Sequence, residues 1–249
     1  MPKTDTYRAI LADLDDWDAY LLAESGLPGP RGNLELAQAV ADVGDLARFQ
    51  RYAAYTADQA PTNTPGEFLA FCGVVGLGRL VAEGHHELLP TLRRHASDPR
   101  WRLREAVAMA LQRLGDADMG SLLAEMRAWA QGSPLEQRAA AAALCEPRLL
   151  TQPAHARATL EILDAITATI PSVEDRRDES FRALRRGLGY CWSVAVVALP
   201  DVGKPMMEAW LGHPDPDIRW IMRENLKKAR LARMDAGWVR AAVDLERSS

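Results

Sequence analysis

The chain has 249 residues and a formal net charge of −4, with 48% apolar and 26% charged residues. This balance is typical of a globular protein that can bury a core, and the acidic charge disfavours non-specific binding of nucleic acid, which usually needs many cations. The length allows one large domain or two small ones, and we expect a single domain over 1–249.

Targeting and membrane signals are absent from the sequence pattern. No run of about 18 apolar residues is present, so we expect no membrane span. Residues 1–8 are polar and lack the apolar core of a signal peptide, so we expect a cytoplasmic protein.

Metal, cofactor and catalytic motifs are equally weak. Cys72, Cys145 and Cys191 are far apart and form no CxxC pair, so we interpret them as reduced core cysteines. The histidines are scattered, and the acidic run at 13–18 lacks the spacing of an EF-hand loop. We therefore assign no catalytic residue, metal ligand or cofactor, and we lean towards a protein that is not an enzyme.

The first quarter of the chain reads as helices around one rigid loop. Residues 5–24 have the 3.6-residue period of an amphipathic helix. The Gly- and Pro-rich stretch 25–32 cannot be helical, and Asn33 is placed to cap the next helix. Residues 34–60 predict one or two helices with a break near Gly44. The sequence leaves open whether residues 1–60 form a full repeat or an N-terminal cap.

The next helix should lie in the interior. Thr64, Pro65 and Glu67 resemble a capping box, and the residues that follow are apolar on almost every face. Gly76 and Gly78 within this stretch should allow neighbouring helices to approach closely.

The rest of the chain predicts further helices, with a second capping box at 133–136. No alternation of period two is present, so we expect an all-α fold without a sheet. The predicted helices are 85–95, 99–114, 119–131, a helix around 138–144, 153–170, 175–199, 201–211, 216–231 and 235–245.

One motif occurs twice. Residues 98–107 and 217–226 share Asp, Arg, Trp, Arg and Glu in register, and such recurrence is typical of a helical repeat. The spacing of an Asp followed six residues later by an Arg, as in Asp98 and Arg104, resembles the repeat motif of the HEAT-repeat family. Asp217 and Arg223 repeat that spacing. The resemblance is clearest over 84–233.

This resemblance implies a right-handed α-solenoid of HEAT-like antiparallel helix pairs. In that family the repeated Asp and Arg mainly bridge adjacent repeats, so it implies a structural role for both residues in each copy. For Trp101 and Trp220 we favour filling a groove between repeats, with stacking on a ligand as the alternative.

The strongest charge pattern follows the second copy. Its cations fall at i, i+4, i+8 and i+11, which places them on one stripe of a predicted helix, with a second basic cluster upstream. Such a surface suits a phosphate backbone or an acidic peptide, although a solvated face balanced by Glu224 and Asp217 has the same pattern. The candidate binding residues are Arg219, Arg223, Lys227, Arg230, Arg185, Arg186, Trp192 and Trp220.

The loop before Asn33 is a second candidate. Arg31 offers a fork of donors to a carboxylate or phosphate, and Asn33 lies at a helix start where an anion can bind. A rigid connector explains the same glycines and prolines, and no P-loop signature is present.

The first functional hypothesis is a non-enzymatic binding or scaffold protein that docks a protein partner on the concave surface of the array. The alternative is a DNA-binding or DNA-repair protein, because the plan resembles HEAT-like alkylpurine glycosylases. Those enzymes carry a catalytic Asp one turn beyond a Trp, but Val196 follows Trp192 here. A third hypothesis is a HEAT-type lyase acting on a partner's cofactor.

Overall fold

A computed structural model describes the backbone of residues 3–248 and the side chains of residues 3–246. All regular structure within these residues is helical, which confirms the predicted all-α class. The described chain divides into two compact units, Met1–Asp118 (unit 1) and Met119–Ser249 (unit 2).

Unit 1 is built around one central helix, α5, which packs against α7, α4 and α3. The close approach expected at its glycines is confirmed. A Cβ on Gly76 would lie 2.2 Å from the Phe49 ring, and one on Gly78 would lie 2.3 Å from the Ala110 backbone. The helices of unit 1 are α1 Lys3–Ala12, α2 Asp18–Ala23, α3 Leu34–Val43, α4 Leu46–Ala53, α5 Pro65–Ala82, α6 Leu89–His95 and α7 Trp101–Ala117.

Three predictions for unit 1 need correction. The single helix over 5–24 is two helices, separated by a turn that the Trp17 side chain closes by donating to the Leu11 carbonyl. Thr64 forms no side-chain cap, because its hydroxyl donates to Pro61 and the Glu67 carboxylate accepts from the Asn63 amide. The predicted helix 85–95 begins with the short 3₁₀ turn His86–Leu88.

By length and composition α5 is able to cross a membrane, which the expectation of no membrane span overlooks. In the structure, however, 78% of this stretch is buried inside the protein, as in the core helix of a globular unit.

Unit 2 is built around α11, which packs against α9, α13 and α10. The capping box at Ser133 and Glu136 is confirmed in both directions. The predicted helix 216–231 ends at Leu226, and the last helix has a non-helical residue at Asp235. The helices of unit 2 are α8 Met119–Trp129, α9 Pro134–Leu144, α10 Pro153–Ala168, α11 Glu179–Ala198, α12 Pro200–Leu211, α13 Pro216–Leu226 and α14 Ala229–Ser248, with 3₁₀ turns at Pro147–Leu150 and Ile170–Ser172.

Candidate functional site

Unit 1 contains an apolar cleft of about 290 Å³ between α5, α7 and the loop that precedes α3. We call it the Trp101 cleft, because the Trp101 side chain at its edge remains 46% exposed. Its apolar walls are Leu27, Pro30, Leu34, Phe68, Phe71 and Met109.

Two local features build these walls. Phe68 and Phe71 lie one turn apart at the start of α5, and their rings stack with centroids 6.4 Å apart. Another wall is the loop before α3. The two ends of this loop are joined by a hydrogen bond in which the backbone N–H of Asn33 donates to the Ser25 carbonyl at 2.8 Å. The cleft is therefore formed by segments that are distant in sequence.

A buried ion pair adjoins the cleft, and its arginine, Arg102, is one of the residues that line it. Arg102 donates to the Glu67 carboxylate at 3.1 Å and to the Gly29 carbonyl at 2.7 Å, and Asn63 completes the network through its side-chain oxygen. The Arg102 guanidinium also lies 4.4 Å from the centroid of the Trp101 ring. This one side chain therefore fixes both the loop and the exposed tryptophan.

The network leaves two polar atoms without a partner among the described residues. They are Nε of Arg102 and Oε1 of Glu67, and both are buried. A buried donor and acceptor left unpaired are costly, so the packing around Arg102 and Glu67 must offset that cost.

Charged side chains border the cleft as well. Arg31 lines it, and its side chain is 65% exposed with a 3.3 Å contact to Glu35. Glu105 lines the cleft from α7. An occupant would therefore meet an apolar interior with charged groups of both signs around it.

The structure gives Arg31 and Asn33 different roles. Arg31 lies at the cleft, in keeping with a binding role. The Asn33 side chain accepts from the Leu36 amide and donates to Tyr7 and to the Glu24 carbonyl. Asn33 is thus a helix cap and a loop brace whose side-chain polar atoms are already engaged, and its role as an anion-binding residue stays a prediction.

The four cations of the predicted basic stripe in unit 2 do not lie on one helix in the structure, which corrects that prediction. Because α13 ends at Leu226, Arg230 belongs to α14, where it donates to the Tyr190 hydroxyl. Arg219 and Arg223 both contact the Glu246 carboxylate, at 3.1 and 3.3 Å, and Lys227 contacts Glu224.

The upstream basic cluster is paired in the same way. Arg185 contacts Asp217 at 2.6 Å and lies 3.7 Å from the centroid of the Trp220 ring, and Arg186 contacts Glu179. Five of the six candidate cations of unit 2, all except Arg230, therefore pair with carboxylates of their own unit.

Trp192 does not belong to any surface site. It is fully buried, and its indole N–H donates to the Thr167 hydroxyl at 3.1 Å. Its prediction as a binding residue is wrong, because the apolar face of α11 turns this ring into the core of unit 2.

The cysteines behave as expected. All three are buried and free. Burial raises the pKa of the Cys72 and Cys145 thiols, which disfavours the reactive thiolate.

Sequence reasoning missed the Trp101 cleft. Its aromatic residues were visible as apolar positions of two predicted helices, but their convergence with the loop before α3 depends on long-range packing. One signal was present in the sequence: a tryptophan near the start of a predicted helix with an arginine beside it.

A comparison with protein-family models finds no family that matches this chain, and a comparison with curated proteins finds no matching relative.

Proposed function

We propose that this protein is a non-enzymatic binding protein, and that the Trp101 cleft docks an apolar side chain of a protein partner. The observation that carries this proposal is an indole 46% exposed at the edge of an apolar cleft of about 290 Å³. Tryptophan is enriched among the residues that dominate binding energy at protein interfaces.

The size of the cleft favours a side chain as its occupant. Pockets for drug-sized ligands span about 300 to 1,000 Å³, so this cleft lies at the lower limit of that range. Full burial of one large apolar side chain is worth about 1.5 to 3 kcal/mol, which suits an anchor within a larger contact surface.

The edge of the cleft is ordered before any partner arrives. Arg102 lies against the Trp101 ring and is itself held by Glu67 and Gly29. A binding residue that is already fixed loses less conformational entropy on association, so this arrangement favours affinity.

We also propose that the helices pair in the manner of HEAT repeats and form a right-handed solenoid. The motif shared by residues 98–107 and 217–226 supports this proposal. In this proposal the cleft belongs to the binding surface of the repeat array.

The DNA-binding alternative receives less support. Arg219, Arg223 and Arg185 are each within 3.3 Å of a carboxylate of unit 2, so a phosphate backbone would have to displace those carboxylates. A gel-shift titration across salt concentrations tests this alternative, because phosphate contacts give a steep loss of affinity with salt.

The test of the main proposal is selection from a random peptide library displayed on phage. The wild-type chain and its Trp101→Ala variant are panned in parallel, with Tyr190→Ala as the matched control. Tyr190 is an aromatic residue of unit 2 that is also 46% exposed.

We expect the wild type and Tyr190→Ala to enrich the same peptides, which share a large apolar residue at a fixed position. Trp101→Ala should bind these peptides at least about thirtyfold more weakly, since a hot-spot truncation costs about 2 kcal/mol or more. Circular dichroism confirms that each variant is folded. If no enriched peptide depends on Trp101, the cleft is not the docking site.

A further inference from the structure

The second half of α14, residues 236–248, lies along α13 and makes one concentrated polar contact there. Glu246 is buried, and its carboxylate lies between the guanidinium groups of Arg219 and Arg223. Arg219 also donates to the Glu246 backbone carbonyl at 2.8 Å. Because Arg219 and Arg223 are four residues apart, they lie on one face of α13 and converge on one carboxylate.

Apolar packing contributes little to this contact. Among the described side chains of residues 236–246, only Ala242 and Glu246 are buried, and Leu245 is 47% exposed. A gap of about 240 Å³ lies between the two helices, lined by Arg223, Leu226, Lys227, Val243 and Glu246. Segments with few buried apolar contacts open at low free energy, so this half-helix is suited to local release.

The backbone of α14 is interrupted at Asp235, immediately before this segment, and we call this interruption the joint. Asp235 has φ −159° and ψ 92°, which interrupts the helix just before the segment. The first half of α14 is anchored by the buried side chain of Leu231, and Lys204 contacts Asp235 at 2.6 Å. A rotation of the backbone at the joint would separate residues 236–248 from α13 without moving the first half of α14.

We propose that the face of α13 bearing Arg219 and Arg223 is a docking surface for an acidic amphipathic helix of a partner protein, and that residues 236–248 cover this face as an internal occupant. The chain's own segment shows the chemistry that fits: a carboxylate between two guanidinium groups, with a small apolar residue one turn before it. This surface is independent of the Trp101 cleft.

Lys227 extends the same surface. It follows Arg223 by four residues at the end of α13, and it pairs with Glu224 in an exposed contact that is easily exchanged. A partner helix with two carboxylates one or two turns apart would reach both the arginine pair and Lys227. The internal segment has one carboxylate at the arginines, so such a partner would be the better occupant.

The internal segment competes with any partner because it is tethered. An attached segment acts at a high effective concentration, so a separate helix binds weakly until the segment is loosened. This predicts that a substitution which releases residues 236–248 will increase binding in trans.

The experiment uses a fluorescein-labelled peptide with the sequence of residues 236–249 and measures its anisotropy with the full-length chain. Glu246→Ala removes the internal carboxylate, and Glu208→Ala removes the acceptor of the Trp238 indole N–H while leaving Glu246 in place. We expect both variants to bind the peptide at least about tenfold more tightly than the wild type does.

Two controls tie binding to the proposed face. Adding Arg219→Ala and Arg223→Ala to Glu246→Ala should abolish binding, and so should replacing the peptide's own Glu246 by Ala. If both release variants fail to bind, or if binding persists without the two arginines, the proposal is wrong. A helix-exchanged dimer of either variant, seen by size-exclusion chromatography, would make a second copy the occupant and overturn the assignment to a partner helix.

Hydrogen exchange of the wild-type protein tests, without any variant, whether residues 236–248 open locally. Amides of 238–248 should exchange at least about tenfold faster than those of α11 and α13. Protection equal to that of the unit 2 core would show that the segment is a permanent part of the unit and would overturn the proposal.

Discussion

The two copies of the Asp-x-Arg-Trp motif lie in different units and make different contacts. In unit 1, Arg100 is 2% exposed, holds Asp98 through both carboxylate oxygens, and donates to the carbonyls of Tyr55 and Ala60. In unit 2, the matching Arg219 is 28% exposed and holds Glu246, 27 residues away. The motif arginine therefore forms a buried contact within its own turn in unit 1 and a partly exposed contact with a distant helix in unit 2. We call the contacts of Arg100 with Asp98 and the 55–60 turn the brace of unit 1.

The position of proline explains part of this difference. In unit 2, Pro216 precedes Asp217 and occupies the first helical position, so the whole motif lies inside α13. In unit 1, Pro99 follows Asp98, and α7 begins only at Trp101. Asp98 is thus a loop residue whose carboxylate turns back onto Arg100, whereas Asp217 projects from the first turn of a helix towards Arg176 and Arg185.

The tryptophans sharpen the comparison. An arginine lies against each ring, Arg102 over Trp101 and Arg185 over Trp220. The first of these arginines is buried with Glu67 and the second is partly exposed with Asp217. The two rings therefore have similar arginine contacts, but the ion pairs of those arginines differ in burial. We expect this difference in burial to decide which substitution costs more stability.

The largest expected effect is at the buried pair. Arg102→Met should destabilise unit 1 by about 3 to 5 kcal/mol, because it removes the counter-ion of the buried Glu67 carboxylate and leaves only the Asn63 backbone amide as a donor to it. Urea unfolding gives the free energy, and hydrogen exchange shows whether the loss lies in unit 1.

The matched substitution in unit 2 is Arg185→Met, which should cost only about 1 kcal/mol because Asp217 keeps its contact with Arg176. Adding Glu67→Gln to Arg102→Met should recover part of the lost stability. Equal losses for the two arginines would show that burial does not separate the two ion pairs.

The second prediction compares the motif arginines directly. Arg100→Ala should cost about 3 kcal/mol, since it removes the buried guanidinium that pairs with the Asp98 carboxylate and takes this donor from the Tyr55 and Ala60 carbonyls. Arg219→Ala should cost about 1 kcal/mol, because Glu246 keeps Arg223 and has access to water once the segment loosens. Thermal unfolding measures both variants, and a larger loss for Arg219→Ala would contradict the assigned roles.

Much of the fold was predictable because helix signals are local. The all-α class, the cap at Asn33, the break near Gly44 and the capping box at Ser133 all follow from patterns within a few residues. The end of α13 at Leu226 was not predictable in this way. The residues after it are good helix formers, so the apolar and basic periods continue across 227–231 although the backbone does not.

The candidate site was less predictable for a physical reason. Arg31 was found from its side-chain chemistry, but Phe68, Phe71 and Trp101 meet it only through tertiary packing. Trp192 and the arginines of unit 2 looked like ligand-binding residues because a sequence shows charge without showing its partner. Glu246 is 23 residues beyond Arg223, and no local pattern links the two.

The third prediction concerns the tryptophans. Trp220→Ala should cost about 2 kcal/mol, because the ring packs on α11 at Gly189 and under Arg185. Trp101→Ala should cost about 1 kcal/mol or less, the worth of an exposed cation–π contact. Urea unfolding of both variants tests this ranking, and a greater loss at Trp101 would assign that residue to the core rather than to a binding edge.

The smallest expected effect is the pH dependence of the brace in unit 1. Burial alone would raise the pKa of Asp98, but hydrogen bonds from Arg100 and His95 hold that pKa below its usual range. A lowered native pKa gives stability that is present above the unfolded value of about 3.9 and is lost as the pH falls towards the native value.

Asp98→Asn should therefore cost about 1 kcal/mol near pH 7, the worth of a hydrogen bond, and the difference from the wild type should shrink as the pH falls below about 4. Asp215→Asn is the matching substitution in unit 2. Burial alone would raise the pKa of Asp215, but hydrogen bonds from Arg176 and from backbone amides hold that pKa below its usual value. Thermal unfolding of both Asn variants between pH 7 and pH 3 measures the trend. A difference for Asp98→Asn that grows on acidification would mean that the native state holds this carboxyl in its protonated form, and the brace would then depend on a neutral hydrogen bond.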